Sequence, residues 1–172
     1  HGLGISTHLK ETAEQWASEA KTLVYFGGNH QVLAIAAIAD PVKPTSAQAI
    51  RELQDMNVDV YLLTGDNPQT AAAVAKQVGI VHFRAGVLPA DKEQFIQELQ
   101  GQGKIVAMVG DGINDSQALA RADVSIAMGK GSDIAMEVAK MTLMSSDLSK
   151  IPAAIRLSRR TVAAIRQNLF WA

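Results

Sequence analysis

Lys104-Ile105-Val106-Ala107-Met108-Val109, running into Gly110-Asp111-Gly112-Ile113-Asn114-Asp115, is the most informative stretch of the chain. The first six residues are apolar from Ile105 onward and have strand length, as expected of a strand covered on both faces. The glycine-bearing loop then gives way to a helix over 114–121. An apolar strand, a tight turn and a helix start make half of a strand–helix unit. In parallel sheets built from such units, ligands sit at the carboxyl ends of the strands. Asp111 and Asp115 are four residues apart across the turn, so both carboxylates can be aimed at one spot above the sheet. Two carboxylates with no positive charge beside them in sequence suit a hard cation, and Mg²⁺ with a phosphate is the natural guest. The plainer alternative is a turn in which Asp111 and Asn114 bond the backbone. A helix cap needs one acidic or amide residue, and this loop carries three.

Working outward, the same alternation recurs on both sides. Helices are expected over 46–56, 68–78, 91–100, 132–139 and 152–168, and strands over 58–63, 80–83, 124–127 and 142–144. This pattern predicts an α/β fold, a Rossmann-like parallel sheet flanked by helices. The first 39 residues differ: a helix over 11–21, then apolar runs at Leu23–Phe26 and Val32–Ala39 around Gly27-Gly28-Asn29, which reads as a hairpin. Asp40-Pro41-Val42-Lys43-Pro44 breaks the pattern and marks a domain boundary.

Two further segments carry candidate chemistry. Thr64-Gly65-Asp66-Asn67-Pro68 follows an apolar strand and opens a helix. Its hydroxyl, its glycine and the helix N-terminus suit a phosphate oxygen, while Asp66 or Asn67 acting as an ordinary helix cap explains it equally simply. Lys92 in Leu88-Pro89-Ala90-Asp91-Lys92 falls in the first turn of a helix, where the macrodipole disfavours a cation. It answers a negative guest, or it is a solvated surface lysine.

The 172 residues are 48% apolar, with formal net charge −1 and no cysteine. That supports a genuine core, gives no global field to recruit nucleic acid, and excludes a disulfide scaffold or thiolate metal site. His1, His8, His30 and His82 lack metal-site spacing. Met128, Met136, Met141 and Met144 are expected as core. The segment His1–Gly4 has no signal-peptide character. In the last helix Ile151, Ile155, Val162, Ile165 and Leu169 form one apolar stripe. Arg156, Arg159, Arg160 and Arg166 precede an apolar start at Leu169-Phe170-Trp171, as on the cytoplasmic side of a membrane span; the alternative is a plain amphipathic helix packed on the sheet, and both can hold in different parts of the helix.

Taken together, Thr64-Gly65-Asp66, Lys92 at a helix start and Gly110-Asp111-Gly112-Ile113-Asn114-Asp115 resemble the later motifs of the haloacid dehalogenase superfamily. The wording, including Asp40-Pro41, Asn67, Ser116, Leu88-Pro89 and Ile126-Ala127-Met128-Gly129, resembles P-type ATPases. Thr142–Ser146 and Ile165–Ala172 resemble the copper-type heavy-metal branch. The resemblance implies a nucleotide-binding-domain remnant of α+β type over 1–39, a phosphorylation domain over 40–149, and a linker helix over 150–172 running into a truncated transmembrane helix. It implies that Thr64, Gly65 and Asp66 handle transferred phosphoryl oxygens and Lys92 neutralises their charge. By the same resemblance Asp111 and Asp115 would hold Mg²⁺, Asn114 would support metal and phosphate, and Asp40 would lie at the hinge to the ATP-binding domain.

The parent so implied is a membrane protein exposing this segment to the cytoplasm and moving a soft metal ion, Cu⁺ by export being first choice. Zn, Cd or Ag transport and a soluble phosphatase of the superfamily are the alternatives. The chain departs from the family in two ways. It has no Asp-Lys-Thr-Gly-Thr run, so the nucleophilic aspartate is expected upstream of His1 and the segment alone is expected to be inactive. Gln117 stands where proline is usual, which touches no catalytic group.

Overall fold

The computed structural model describes residues 4–19, 21–38, 41–111, 113–129 and 133–171. The chain divides into two compact units, residues 1–42 with 60–87 and residues 43–59 with 88–172.

The first unit opens with α1 (Thr7–Ser18), four residues earlier than sequence periodicity suggests. The Ser6 hydroxyl accepts from the Leu9 amide at 3.4 Å, and this N-cap sets the start. β1 (Thr22–Gly28) and β2 (Gln31–Ile38) pair antiparallel as the expected hairpin, with a register shift at Phe26/Gly27. The turn residues proper are Asn29 and His30, at φ 49° and 62°. Two successive left-handed residues match the twist of a two-residue hairpin. After its excursion into the other unit, the chain returns with β3 (Tyr61–Leu63), α3 (Pro68–Val78) and β4 (His82–Arg84). β3 and β4 pair in parallel. β3 is shorter than the apolar run 58–63 because its partner offers only three residues to pair with. Tyr61 and His82 stack at 5.0 Å. The buried faces of α1 and α3 are built largely of alanine, Ala13 and Ala17 on one helix and Ala71 and Ala75 on the other. Gly79, left-handed at φ 79°, ends α3.

The second unit combines α2 (Pro44–Asp55) with α4 (Pro89–Gly101), β5 (Ala107–Gly110), a 3-10 turn (Ile113–Asp115), α5 (Ser116–Arg121), β6 (Val124–Met128), α6 (Asp133–Val138), β7 (Met141–Leu143) and α7 (Lys150–Trp171). The three strands form a parallel sheet in the order β5-β6-β7. β5 begins three residues later than expected. There the Val106 amide donates to the Asp123 carboxylate at 2.9 Å rather than to a ladder. The core lies on the helix-covered face: Ile96, Ala118 and Ala122 pack with Val106 and Met108, and Leu119 and Ala127 pack with Met108 and Met136. Of the methionines expected as core, Met128 is buried and Met136 joins this cluster, but Met144 is exposed. The three-residue β7 ends at Leu143, so Met144 falls in the bend beyond the ladder.

Polar contacts tie α2 and its N-cap residue Lys43 to the far end of the chain. Lys43 Nζ donates to the Ser146 carbonyl at 2.8 Å, the Thr45 hydroxyl donates to Asp147 Oδ1 at 2.9 Å, and Arg156 meets Glu52 at 2.7 Å. Ile151 and Pro152 at the start of α7 are buried; beyond Ile155 the helix is exposed. Among the described residues no helix is long and apolar enough to cross a membrane.

Candidate functional site

Each unit carries its own cluster of the candidate residues. In the first, Thr64, Gly65 and Asp66 leave the carboxyl end of β3. The Thr64 amide donates to the Arg84 carbonyl at 3.1 Å and the Val87 amide to the Thr64 carbonyl at 3.0 Å, so the loop is held from both sides. The Thr64 hydroxyl donates to Asp66 Oδ2 at 2.7 Å and accepts the Asp66 amide at 3.1 Å. Asn67, not Asp66, caps α3: its Oδ1 accepts the amides of Gln69 and Thr70, both at 3.0 Å. With the cap assigned to Asn67, half-buried Thr64 and exposed Gly65 and Asp66 are left free of that structural duty. An open cleft beside it is lined by Lys10, Glu14, Tyr25, Asp66 and Gln69.

In the second unit, β5 delivers Gly110 and Asp111 to the carboxyl end of the sheet, and the 3-10 turn brings Asn114 and Asp115 round immediately after. Asp111 and Asn114 are exposed. Asp115 is not: its side chain keeps 13% of its accessible surface, and Lys92 Nζ, itself at 15%, lies 2.7 Å from its Oδ1. The lysine that opposes the dipole of α4 is therefore answered by a carboxylate of the neighbouring loop. The sequence treats the Asp111/Asp115 pair as unopposed because Lys92 is 23 residues away. The fold brings that charge to Asp115 and leaves Asp111 facing solvent. Asp91, one residue earlier, accepts the Leu88 amide at 2.9 Å and closes the first turn of α4.

Sequence reasoning passed over Gly110 as a residue in its own right. A Cβ built there would stand 2.6 Å from Asp115 Oδ2 and 2.8 Å from Asp115 Cβ. The carboxylate rests directly over the glycine, so the absence of a side chain at 110 permits its position. The signal available in sequence was a glycine at the last position of an apolar strand, just ahead of an acidic loop.

As donors, an exposed carboxylate at Asp111 and a partly shielded one at Asp115 fit Mg²⁺, which takes one or two protein carboxylates and keeps water and phosphate for the rest of its shell. Among the described residues no three acidic or imidazole side chains converge on one point. Asp40 and Gly112 lie outside the described residues.

A family model for haloacid dehalogenase-like hydrolases matches residues 2–123. The chain belongs to the haloacid dehalogenase-like hydrolase family. Its parallel strands, with the acidic loop at their carboxyl ends, are the haloacid dehalogenase-like fold expected from the sequence. Among curated relatives, the chain is 51% identical over 160 residues to a probable copper-transporting ATPase, PacS, of Synechocystis sp., covering 93% of this chain and 22% of the relative. It is 50% identical over 166 residues to a probable copper-importing P-type ATPase A of Enterococcus hirae, covering 95% and 23%. It is 46% identical over 172 residues to a copper-exporting P-type ATPase of Staphylococcus epidermidis, covering 100% and 22%. A solved structure of a zinc-transporting PIB-type ATPase superposes with TM-score 0.80 at 40% identity, covering 98% of this chain and 28% of that one. The chain spans about a fifth of the length of these curated relatives.

Proposed function

We propose that this chain is the phosphoryl-handling segment of an ATP-driven heavy-metal transporter of the P-type, with Cu(I) export as its activity. The observation that carries the proposal is the Lys92–Asp115 pair beside exposed Asp111 at the end of β5, a cation and two carboxylates assembled at the carboxyl end of a parallel sheet. Phosphoryl transfer asks the protein mainly for positioning, a metal and neutralised charge, and this arrangement supplies the means for each. The likeness to copper-transporting ATPases along nearly the whole chain supports the ion.

In this reading Thr64 and Gly65 hold phosphoryl oxygens, with Asp66 fixing the Thr64 hydroxyl, and Lys92 supplies positive charge to the phosphoryl group. Asp111 and Asp115 hold Mg²⁺, and Asn114 supports metal and phosphate. Bound Mg²⁺ supplies Lewis-acid charge neutralisation. Asp40 is the hinge to an ATP-binding domain of which residues 1–39 are the last part, residues 40–149 form the phosphorylation domain, and residues 150–172 lead to the membrane from its cytoplasmic side. The sequence contains no Asp-Lys-Thr-Gly-Thr run, so the aspartate that becomes phosphorylated belongs to the preceding part of the parent.

The deciding experiment uses the full parent chain, incubated with labelled ATP and Mg²⁺, and looks for acid-stable, hydroxylamine-labile phosphoprotein with Cu(I) or with Zn²⁺. Label that depends on Cu(I) is expected. Label that depends on Zn²⁺ keeps the transporter and discards copper, an outcome to which the zinc-transporting structural neighbour lends weight. A folded parent that labels with neither ion refutes the proposal and favours a soluble phosphatase.

A further inference from the structure

Two consecutive backbone amides beyond β4 reach back to the Thr64–Gly65–Asp66 loop. The Gly86 amide donates to the Asp66 carbonyl at 2.8 Å, and the Val87 amide to the Thr64 carbonyl at 3.0 Å. In extended backbone, successive N–H groups point to opposite sides of the chain, as successive side chains do. Amides 86 and 87 serve one loop because Gly86 stands at φ 64°, in the left-handed region. Such a turn swings adjacent N–H groups toward a common side, and a residue without a Cβ adopts it readily.

Gly79 and Gly103 are left-handed too, but both end helices. Gly79 closes α3, and Gly103, just beyond α4, donates its amide to the Gln100 carbonyl at 2.9 Å. Gly86 ends no helix; it lies between β4 and α4. A Cβ built at Gly86 would meet nothing within 4 Å. Space does not demand a glycine there, so the demand comes from the backbone conformation.

The grip of these amides sets the direction of one peptide. A peptide unit is planar and trans, so its C=O and the following N–H point opposite ways. With the Thr64 carbonyl turned to Val87, the Gly65 amide is turned away from the 84–87 segment. The Thr64 amide, bonded to the Arg84 carbonyl at 3.1 Å, and the Asp66 carbonyl, bonded to Gly86, fix the two ends of the same run.

We propose that Gly86 is a positioning residue for phosphoryl transfer. Its left-handed turn holds Thr64 and Gly65 in the orientation that receives the phosphoryl oxygens, while Gly86 itself touches no substrate. This rests on the reading of Thr64 and Gly65 as phosphoryl-holding residues, and the experiment separates the two.

The test compares the full parent chain with its Gly86→Ala, Gly86→Asn, Gly79→Ala and Thr64→Ala variants. The readouts are metal-stimulated ATP hydrolysis, its inhibition by orthovanadate as a mimic of the phosphoryl group, and thermal stability. Alanine at 86 meets no neighbour but resists the left-handed conformation, so each return of the loop to its held form is penalised. We expect kcat to fall, and the half-inhibiting vanadate concentration to rise, by roughly tenfold. KM for ATP scarcely moves, the signature of an interaction expressed in the transition state. Asparagine tolerates positive φ, so Gly86→Asn recovers most of both losses. Gly79→Ala meets the same strain in the same open space, at a turn that holds no phosphoryl residue. It lowers thermal stability as Gly86→Ala does, but leaves kcat and vanadate inhibition unchanged. Two results overturn the inference while Thr64→Ala still impairs both activity readouts: a Gly86→Ala variant that loses stability only, or a Gly86→Asn variant as impaired as Gly86→Ala. If Thr64→Ala leaves both readouts unchanged, the phosphoryl role of Thr64 falls, and the inference with it.

Discussion

Lys92 Nζ sits 2.7 Å from Asp115 Oδ1, with the side chains of both residues largely shielded from water. A pair this shielded is poor evidence of net stabilisation, since each charge has lost hydration, but breaking it by removing one partner is costly. Lys92→Met strands the carboxylate, and a loss of about 1–3 kcal/mol in urea unfolding is expected. Lys92→Arg retains most of the stability. In the double variant K92M/D115N the loss is well below the sum of the single losses. Additive losses would mean that the two groups do not interact in solution.

Gly110 permits the position of that carboxylate. Gly110→Ala puts a methyl group within 2.6 Å of Asp115 Oδ2, so the Asp115 side chain or the 3-10 turn must shift. A destabilisation of about 1–3 kcal/mol is expected, of the order seen for overpacked sites. In an Asp115→Ala background the same change should cost less, because the obstructing carboxylate is gone. An equal cost in both backgrounds would place the strain in the backbone at 110 instead.

Asn67 caps α3 through two amide bonds from Gln69 and Thr70. Asn67→Ala lowers stability by about 1 kcal/mol, whereas Asn67→Asp retains the acceptor and costs little. Hydrogen exchange at the Gln69 and Thr70 amides reports it directly: both accelerate in the alanine variant and remain protected in the aspartate variant.

The contacts that bind α2 to the distal segment are acid-sensitive. The Ser149 amide and then the Thr45 hydroxyl hold the Asp147 carboxyl below its ordinary range. Arg156 and then Gln48 do the same for Glu52. A depressed carboxylate binds its proton less readily folded than unfolded. Its contribution to stability is therefore complete above the ordinary carboxylate value of about 4 and disappears as pH falls through the lowered one. Melting temperature should fall below about pH 4, and D147N should flatten that part of the profile. A D147N profile parallel to that of the parent sequence would exclude Asp147 as a contributor.

The chain by itself, lacking the Asp-Lys-Thr-Gly-Thr nucleophile run, is expected to take up no acid-stable label from ATP and Mg²⁺. Stable labelling of purified 172-residue protein would locate a nucleophile within it and contradict the proposed division of labour.

The alternation of apolar runs with helical segments announced the parallel α/β architecture, and the glycine–proline punctuation marked where elements begin. Element ends were less visible. β3 and β5 shrink because a ladder extends only as far as its partner, or because an amide such as that of Val106 finds a side chain instead. The start of α1 hung on Ser6, a cap outside the periodic window. At the candidate site, residue types and loop positions could be read directly, because Asp111 and Asp115 share one loop. The partnership of Lys92 with Asp115 could not, since it is made by the packing of α4 beside the acidic loop rather than by spacing. Nor could exposed Met144 be told from buried Met128, because hydrophobicity does not encode where a three-residue strand stops.

The second unit is assembled from stretches far apart in the chain: Glu52 of α2 meets Arg156 of α7, 104 residues later. During synthesis at about 5–20 residues per second, α2 emerges from the ribosome some 5–20 seconds before its ion-pair partner exists. Its apolar face, Ala49, Ile50 and Leu53, must spend that interval without the cover that α7 provides. The nascent chain is thus most exposed to mispairing and to chaperone capture between the emergence of residue 55 and that of residue 156. Truncations ending in that window should be recovered in association with holdases more often than those ending beyond it.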